Sequence, residues 1–187
     1  MKKTLLASAI AAAMFSTATM AATSTGHSKM IDYFNVSMGS QAVTDLDNGT
    51  ALIGSIGKDL SEHVQNLSAE VEMSKTVGKA SVDTTIPFVG TASLDADVFS
   101  MAGYAVYNIP ASPQFTFRGK AGLLYESMTA EACAAGLCTS ADDTNFGLSY
   151  GVGATWKVKK NFNVLGEYTI VESDVSNLAL GIKYDFE

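Results

Sequence analysis

The chain has 187 residues, with 12 Lys or Arg against 19 Asp or Glu and a formal charge of −7. Nucleic-acid binding depends on clustered cations, so this balance excludes a nucleic-acid partner. Beyond the N-terminus no apolar run approaches 18 residues, which excludes a helical membrane protein.

Lys2 and Lys3 precede an apolar run from Leu5 to Phe15 that ends in small residues at Ser16, Thr17, Ala18, Thr19 and Ala21. This is the three-part layout of a secretory signal, and the run is too short for a membrane helix of about 20 residues. Thr19-Met20-Ala21 offers the small-x-small cleavage site, so residues 1–21 are expected to be a cleaved signal peptide and residues 22–187 a single domain. Loss of Lys2 and Lys3 leaves 10 cations against 19 acidic residues, a charge near −9.

From there the dominant signal is alternation with period two, the mark of strands whose successive side chains point to opposite faces. Phe34, Val36 and Met38 alternate with Tyr33, Asn35 and Ser37, and a glycine-rich mixed strand follows from Leu52 to Leu60. Leu67, Ala69, Val71 and Met73 oppose Ser68, Glu70, Glu72 and Ser74; Phe99, Met101, Ala105 and Tyr107 oppose Ser100, Ala102 and Tyr104. Phe115, Phe117, Gly119, Ala121, Leu123 and Tyr125 alternate with Thr116, Arg118, Lys120 and Gly122. The clearest strand sets Phe146, Leu148, Tyr150, Val152, Ala154 and Trp156 against Gly147, Ser149, Gly151, Gly153 and Thr155. Phe162, Val164, Gly166, Tyr168 and Ile170 face away from Asn163, Leu165, Glu167 and Thr169, with Leu165 breaking the polar side. Leu178, Leu180, Ile182, Tyr184 and Phe186 close the series against Asn177, Ala179, Gly181, Lys183 and Asp185.

Eight strands result. Joins near residues 61–63, 110–113 and 159–161 are short, whereas 41–50, 76–93 and 127–144 read as long loops; the join at 172–176 is short as well. Alternation of short and long connections is the asymmetry of a bacterial outer-membrane barrel, with short periplasmic turns and longer external loops. A secreted lipocalin-type barrel would show the same period with apolar residues inward. The polar face separates the two. A solvated exterior carries many mixed charges, but this face is mostly Gly, Ser, Ala, Thr and Asn, as suits a cramped interior. Tyr107, Phe115, Trp156, Phe162, Tyr184 and Phe186 stand near strand ends, where an interfacial girdle belongs. The expected fold is therefore an all-β, eight-stranded, antiparallel up-and-down transmembrane β-barrel preceded by a cleaved signal peptide.

Three stretches carry a family resemblance: Phe117-Arg118-Gly119-Lys120-Ala121-Gly122, Tyr150-Gly151-Val152-Gly153-Ala154 and Ala179-Leu180-Gly181-Ile182-Lys183-Tyr184-Asp185-Phe186. With them the mature chain resembles the small barrels of the opacity-protein and OmpA-like transmembrane-domain type, grouped as porin-family outer-membrane barrels. The resemblance implies location in the outer membrane and insertion by the barrel-assembly machinery, which reads an aromatic-rich last strand. Glu187 follows Phe186 where such families end on Phe, and the resemblance to full-length OmpA stops at the barrel.

On the inward face, Glu70, Glu72, Arg118, Lys120, Glu167 and Lys183 each lie several residues from a short turn, about 10–15 Å into the barrel. A buried charge without a partner is strongly disfavoured, so the three glutamates are expected to pair with Arg118, Lys120 and Lys183 in an internal network. Cys133 and Cys138, in a protein that crosses an oxidising compartment, are expected to form a disulfide; two thiols without nearby His fall short of a zinc site, and no metal or other cofactor is expected.

The long loops carry Asp45, Asp47, Asp83, Asp95, Glu131, Asp142, Asp143, Glu172 and Asp174, nearly unopposed except by Lys79. Such a rim is simply solvated, or binds divalent cations near lipopolysaccharide phosphates, or presents a surface to a host ligand. Asp45-x-Asp47-x-Gly49 is half of a calcium loop without the remaining ligand spacing. His27 and His63 are the two histidines, and neither falls on the outer rim; no catalytic residues are assigned and no enzyme is expected. The length excludes a wide porin of 16 strands. What remains is a monomeric structural or adhesin-like surface barrel with a plugged interior, in contact with outer-membrane lipid and lipopolysaccharide, or alternatively a narrow channel for small solutes.

Overall fold

The computed structural model describes residues 30–43, 47–78, 80–86, 90–134, 137–172 and 175–186. The signal peptide and its cleavage site, His27, Asp45, Lys79, Asp174 and Glu187 lie outside the described residues, as do the side chains of Asp83 and Glu172. Strands β1 (Tyr33–Val43), β2 (Gly49–Asp59), β3 (Leu67–Gly78), β4 (Ala80–Ile86), β5 (Gly90–Pro110), β6 (Phe115–Ala134), β7 (Leu137–Lys157), β8 (Phe162–Glu172) and β9 (Val175–Asp185) follow one another, each antiparallel to its neighbours.

β3 and β4 both pair with β5, β3 along Phe99–Tyr107 and β4 along Gly90–Ala96, so the two form one stave. The last strand returns to the first, with Tyr33 opposite Asp185 and Val43 opposite Val175. Counted this way the sheet is a closed barrel of eight staves. Closure follows from the sequence pattern, because every strand has one face fit for lipid and one that must be sequestered, and an open edge in lipid would leave backbone groups unpaired.

Burial alternates as the sequence predicts. Val36, Met38, Ile56, Val71, Leu123, Leu148, Val152, Leu180 and Ile182 are exposed on the outside, whereas Asn35, Ser37, Ser55, Glu70, Glu72, Arg118, Ser149 and Thr169 are buried within. On β6 and β7 the outer apolar face begins at Phe115 opposite Trp156 and ends at Tyr125 opposite Phe146. Ten residue steps of a strand tilted near 40° span about 25 Å along the axis, the height of the apolar band of such barrels. Rings gather at both limits: Phe34, Phe162, Tyr184 and Phe186 lie 4.9–5.7 Å apart at the lower edge, Phe115 is 4.9 Å from Phe117, and Tyr125 is 5.0 Å from Phe146 at the upper. Tyr107 and Trp156 are exposed beside the lower rings.

The short turns agree with expectation. Between β2 and β3 the turn closes on Asn66 at φ 65°, a left-handed position that Asn tolerates. His63 is exposed in this turn. The long external loops need correction. Residues 76–93 and 127–144 are largely strand, because β5, β6 and β7 continue past the apolar band in an unbroken ladder up to Cys133 opposite Cys138. The apolar period of β6 stops at Tyr125 and β7 is exposed on both faces from Cys138 to Phe146, while β5 still buries Ala96 and Val98 on its inward face and the backbone pairing continues. Ala134 lies nine residues beyond Tyr125, so this sheet stands about 20–25 Å above the band.

Because residues 130–141 lie above the lipid at the far end of the ladder, replacing them with an Asn-Gly turn between Thr129 and Asp142 is expected to leave the barrel folded. Heat-dependent gel mobility of the refolded variant checks this; loss of the compact form would show that the barrel depends on the extension.

Candidate functional site

The barrel interior holds the charged side chains in a small volume. Arg118 enters from β6 and meets Glu70 of β3 at 2.7 Å (Nη2 to Oε2) and Glu167 of β8 at 3.2 Å (Nε to Oε2). Lys120, two residues higher on the same face of β6, meets Glu72 at 2.6 Å and Glu167 at 2.5 Å. Glu167 thus joins both cations, and three carboxylates face two cations. Arg118, Lys120 and Glu70 are each under 5% exposed, so the cluster is desolvated and its pairing is obligatory.

Neutral donors complete it. Glu70 Oε2 also accepts from Tyr33 Oη at 3.0 Å and from Asn35 Nδ2 at 3.2 Å, and Asn35 Nδ2 lies 2.7 Å from Ser55 Oγ. Lys120 Nζ sits 4.4 Å from the centre of the Tyr104 ring. Ser149 Oγ donates to the Ile170 carbonyl at 2.7 Å, which makes Tyr104 Oη the donor in its 2.7 Å bond to Ser149. Glycines make the room. A Cβ on Gly151 would stand 3.1 Å from Lys120 Cε, and one on Gly153 the same distance from Glu167 Cγ.

Lys183 does not join this cluster. It forms its ion pair with Asp185 on its own strand, and its Nζ lies 4.2 Å from the centre of the Tyr33 ring. The reason is its place near the end of β9, opposite Asn163 and Asn35 and below the glutamates, where Asp185 is the adjacent inward carboxylate. Tyr33, Asn35, Tyr104 and Ser149 were not singled out from the sequence; their signal was inward parity in strands whose partners only the register reveals.

Toward the outer mouth the filling turns apolar. Val98, Leu124, Val171 and Val175 pack together with Met128 against them. Beside this layer Thr76 Oγ1 donates to Gln41 Oε1 at 2.6 Å and accepts from the Val98 N–H at 2.9 Å. Above the band, Cys133 and Cys138 are disulfide-bonded with Cα atoms 4.1 Å apart, which staples the tip of the β6–β7 hairpin. Asp95 and Glu131 are ladder partners, as are Asp97 and Thr129 and then Thr129 and Asp142, so these carboxylates share the outward face of the extension.

A closed eight-stave β-barrel with a lipid-fit exterior, a charged interior and short turns at one end is an outer-membrane protein of the transmembrane barrel class. The chain belongs to the outer membrane protein β-barrel domain family, whose profile matches residues 7–186. Its fold is similar to that of Neisserial surface protein A, with TM-score 0.58 at 16% identity over 82% of this chain and 96% of that one. It is also similar to Ail, the attachment invasion locus protein of Yersinia pestis, solved with the heparin analogue sucrose octasulfate, with TM-score 0.53 at 17% identity over 84% and 100%. The N-terminal barrel domain of Pseudomonas aeruginosa OprF gives TM-score 0.53 at 14% identity over 83% and 98%. No curated protein matches the chain.

Arg118→Ala would leave Glu70 and Glu167 buried beside one cation, and is expected to destabilise the barrel by about 3–5 kcal/mol. Lys183→Ala removes a pair at the solvated mouth and is expected to cost about 1 kcal/mol or less. Urea titration of both variants in the same lipid checks this; equal losses would show that the two cations are equivalent.

Proposed function

We propose that this outer-membrane barrel is a monomeric, plugged anchor whose working surface is the extracellular β-sheet, in an adhesin-like or structural role. The observation that carries this reading is the filled bore: the five-charge cluster crosses it at mid-height and the apolar layer of Val98, Leu124, Val171 and Val175 lies above. The mass of the protein outside the band is the β4–β5–β6–β7 sheet, stapled at its β6–β7 tip by Cys133–Cys138. The barrel-assembly machinery is its insertion partner, and lipid and lipopolysaccharide its surroundings.

The charge of that sheet selects the partner. Asp95, Asp97, Glu131, Asp142 and Asp143 make it acidic, so a basic protein surface fits and a sulfated polyanion is repelled at close range. The sulfated ligand seen with Ail is therefore not carried over. Sucrose octasulfate is expected to give no binding heat with the refolded protein at 0.15 M salt, and measurable binding would reverse the assignment of partner charge.

A narrow channel is the second reading, favoured by the polar wall that runs from Asn163 and Asn35 past the cluster to Asn177 and Gln41. Planar-bilayer recording of refolded protein separates the two. Silent membranes with folded protein are the expected result; reproducible steps altered by Arg118→Ala would establish the channel instead.

A further inference from the structure

The outside of β8 and β9 carries two concavities, one above the other. The upper is an apolar groove of about 690 Å³ with Gly166 and Ala154 in its floor and Phe117, Tyr168, Leu178 and Leu180 around them. It exists because Gly166 points outward without a side chain among large neighbours. A Cβ there would come no closer than 3.9 Å to Leu180 Cδ1, so the space is open. The lower, about 420 Å³, lies at the turn between β7 and β8 and is lined by Lys159, Lys160, Asn161, Phe162 and Tyr184.

The β8–β9 ladder aligns the two. Phe162 is opposite Tyr184, Val164 opposite Ile182 and Gly166 opposite Leu180, so groove and basic pocket lie along one pair of strands. Gly166 stands about 10 Å above Phe162 along the axis, which puts the groove in the periplasmic half of a band about 25 Å tall. Lys157, Lys159 and Lys160 place three exposed cations at one turn of an acidic chain. A cationic pocket at the membrane surface in line with an apolar groove inside it, with Val164 and Ile182 between the two, matches one kind of molecule, with a phosphate at one end and a hydrocarbon chain at the other.

We propose that the β7–β8 turn and the groove above it hold an anionic glycerophospholipid of the periplasmic leaflet, its phosphate on Lys159 and Lys160 and one acyl chain laid over Gly166. Gly166→Leu fills the groove from a position with open space, and Lys159→Gln with Lys160→Gln removes the charge from an exposed turn.

The test is native mass spectrometry of the protein released from bilayers of equal parts phosphatidylglycerol and phosphatidylethanolamine. Wild-type protein is expected to retain phosphatidylglycerol in preference, and the double lysine variant to lose that preference by about five-fold per lysine. Gly166→Leu is expected to lower retention of both lipids without changing their ratio. Equal retention of the two lipids by wild type, or variants indistinguishable from it, overturns the proposal. So does a lipid-free dimer that Gly166→Leu dissociates, which would give the groove to a second copy of the chain. Heat-dependent mobility verifies folding, and if Gly166→Leu does not fold, the lysine pair decides the matter alone.

Discussion

In hydrocarbon no water is present to satisfy a backbone N–H or C=O, and the pairing of β1 with β9 is the contact that meets this demand for the whole molecule. Without it the two end strands would expose rows of polar groups to lipid. With it every stave has two neighbours, and the alternation of side chains acquires an inside and an outside. The inside is too narrow for a wide pore, so its contents become a packing problem.

That problem is solved with charge where a soluble core would use hydrocarbon. Desolvating five ionised groups costs several kcal/mol for each, and the cost is offset only when geometry supplies nearly every partner. Glu167 bridges both cations, Glu70 draws three donors from two other strands, and the glycines of β7 leave the volume the long side chains need. Arg118 and Lys120 therefore tie β6 to β3 and β8 across the bore. The outer apolar layer does the opposite work, filling space without specifying partners.

Much of this was legible in the sequence because a barrel strand writes both of its environments into alternate residues. The strand carrying Phe146 to Trp156 was readable at sight, and the inward set Glu70, Glu72, Arg118, Lys120 and Glu167 followed from parity alone. Parity says which face a side chain takes but not its height relative to other strands, so Lys183 was grouped with the glutamates though Asp185 lies nearer. The paired extension of β7 is hidden for a different reason: with solvent on both of its faces nothing in the side chains repeats, and Asp142 or Thr144 reads as loop whether or not the backbone is paired. The outward dent at Gly166 was invisible because a glycine on a lipid face signals only a missing side chain, and what surrounds the gap depends on strands distant in the sequence.

The hydrogen-bonded sheet above the membrane also determines what an immune system would see. It is built from four strands, and its outward face sets Asp95, Glu131 and Ser140 side by side though 36 and nine positions apart in the chain. An antibody raised to the folded protein would read such a row across the strands, as a conformational epitope, and a peptide copied from any one strand would present only a single column of it.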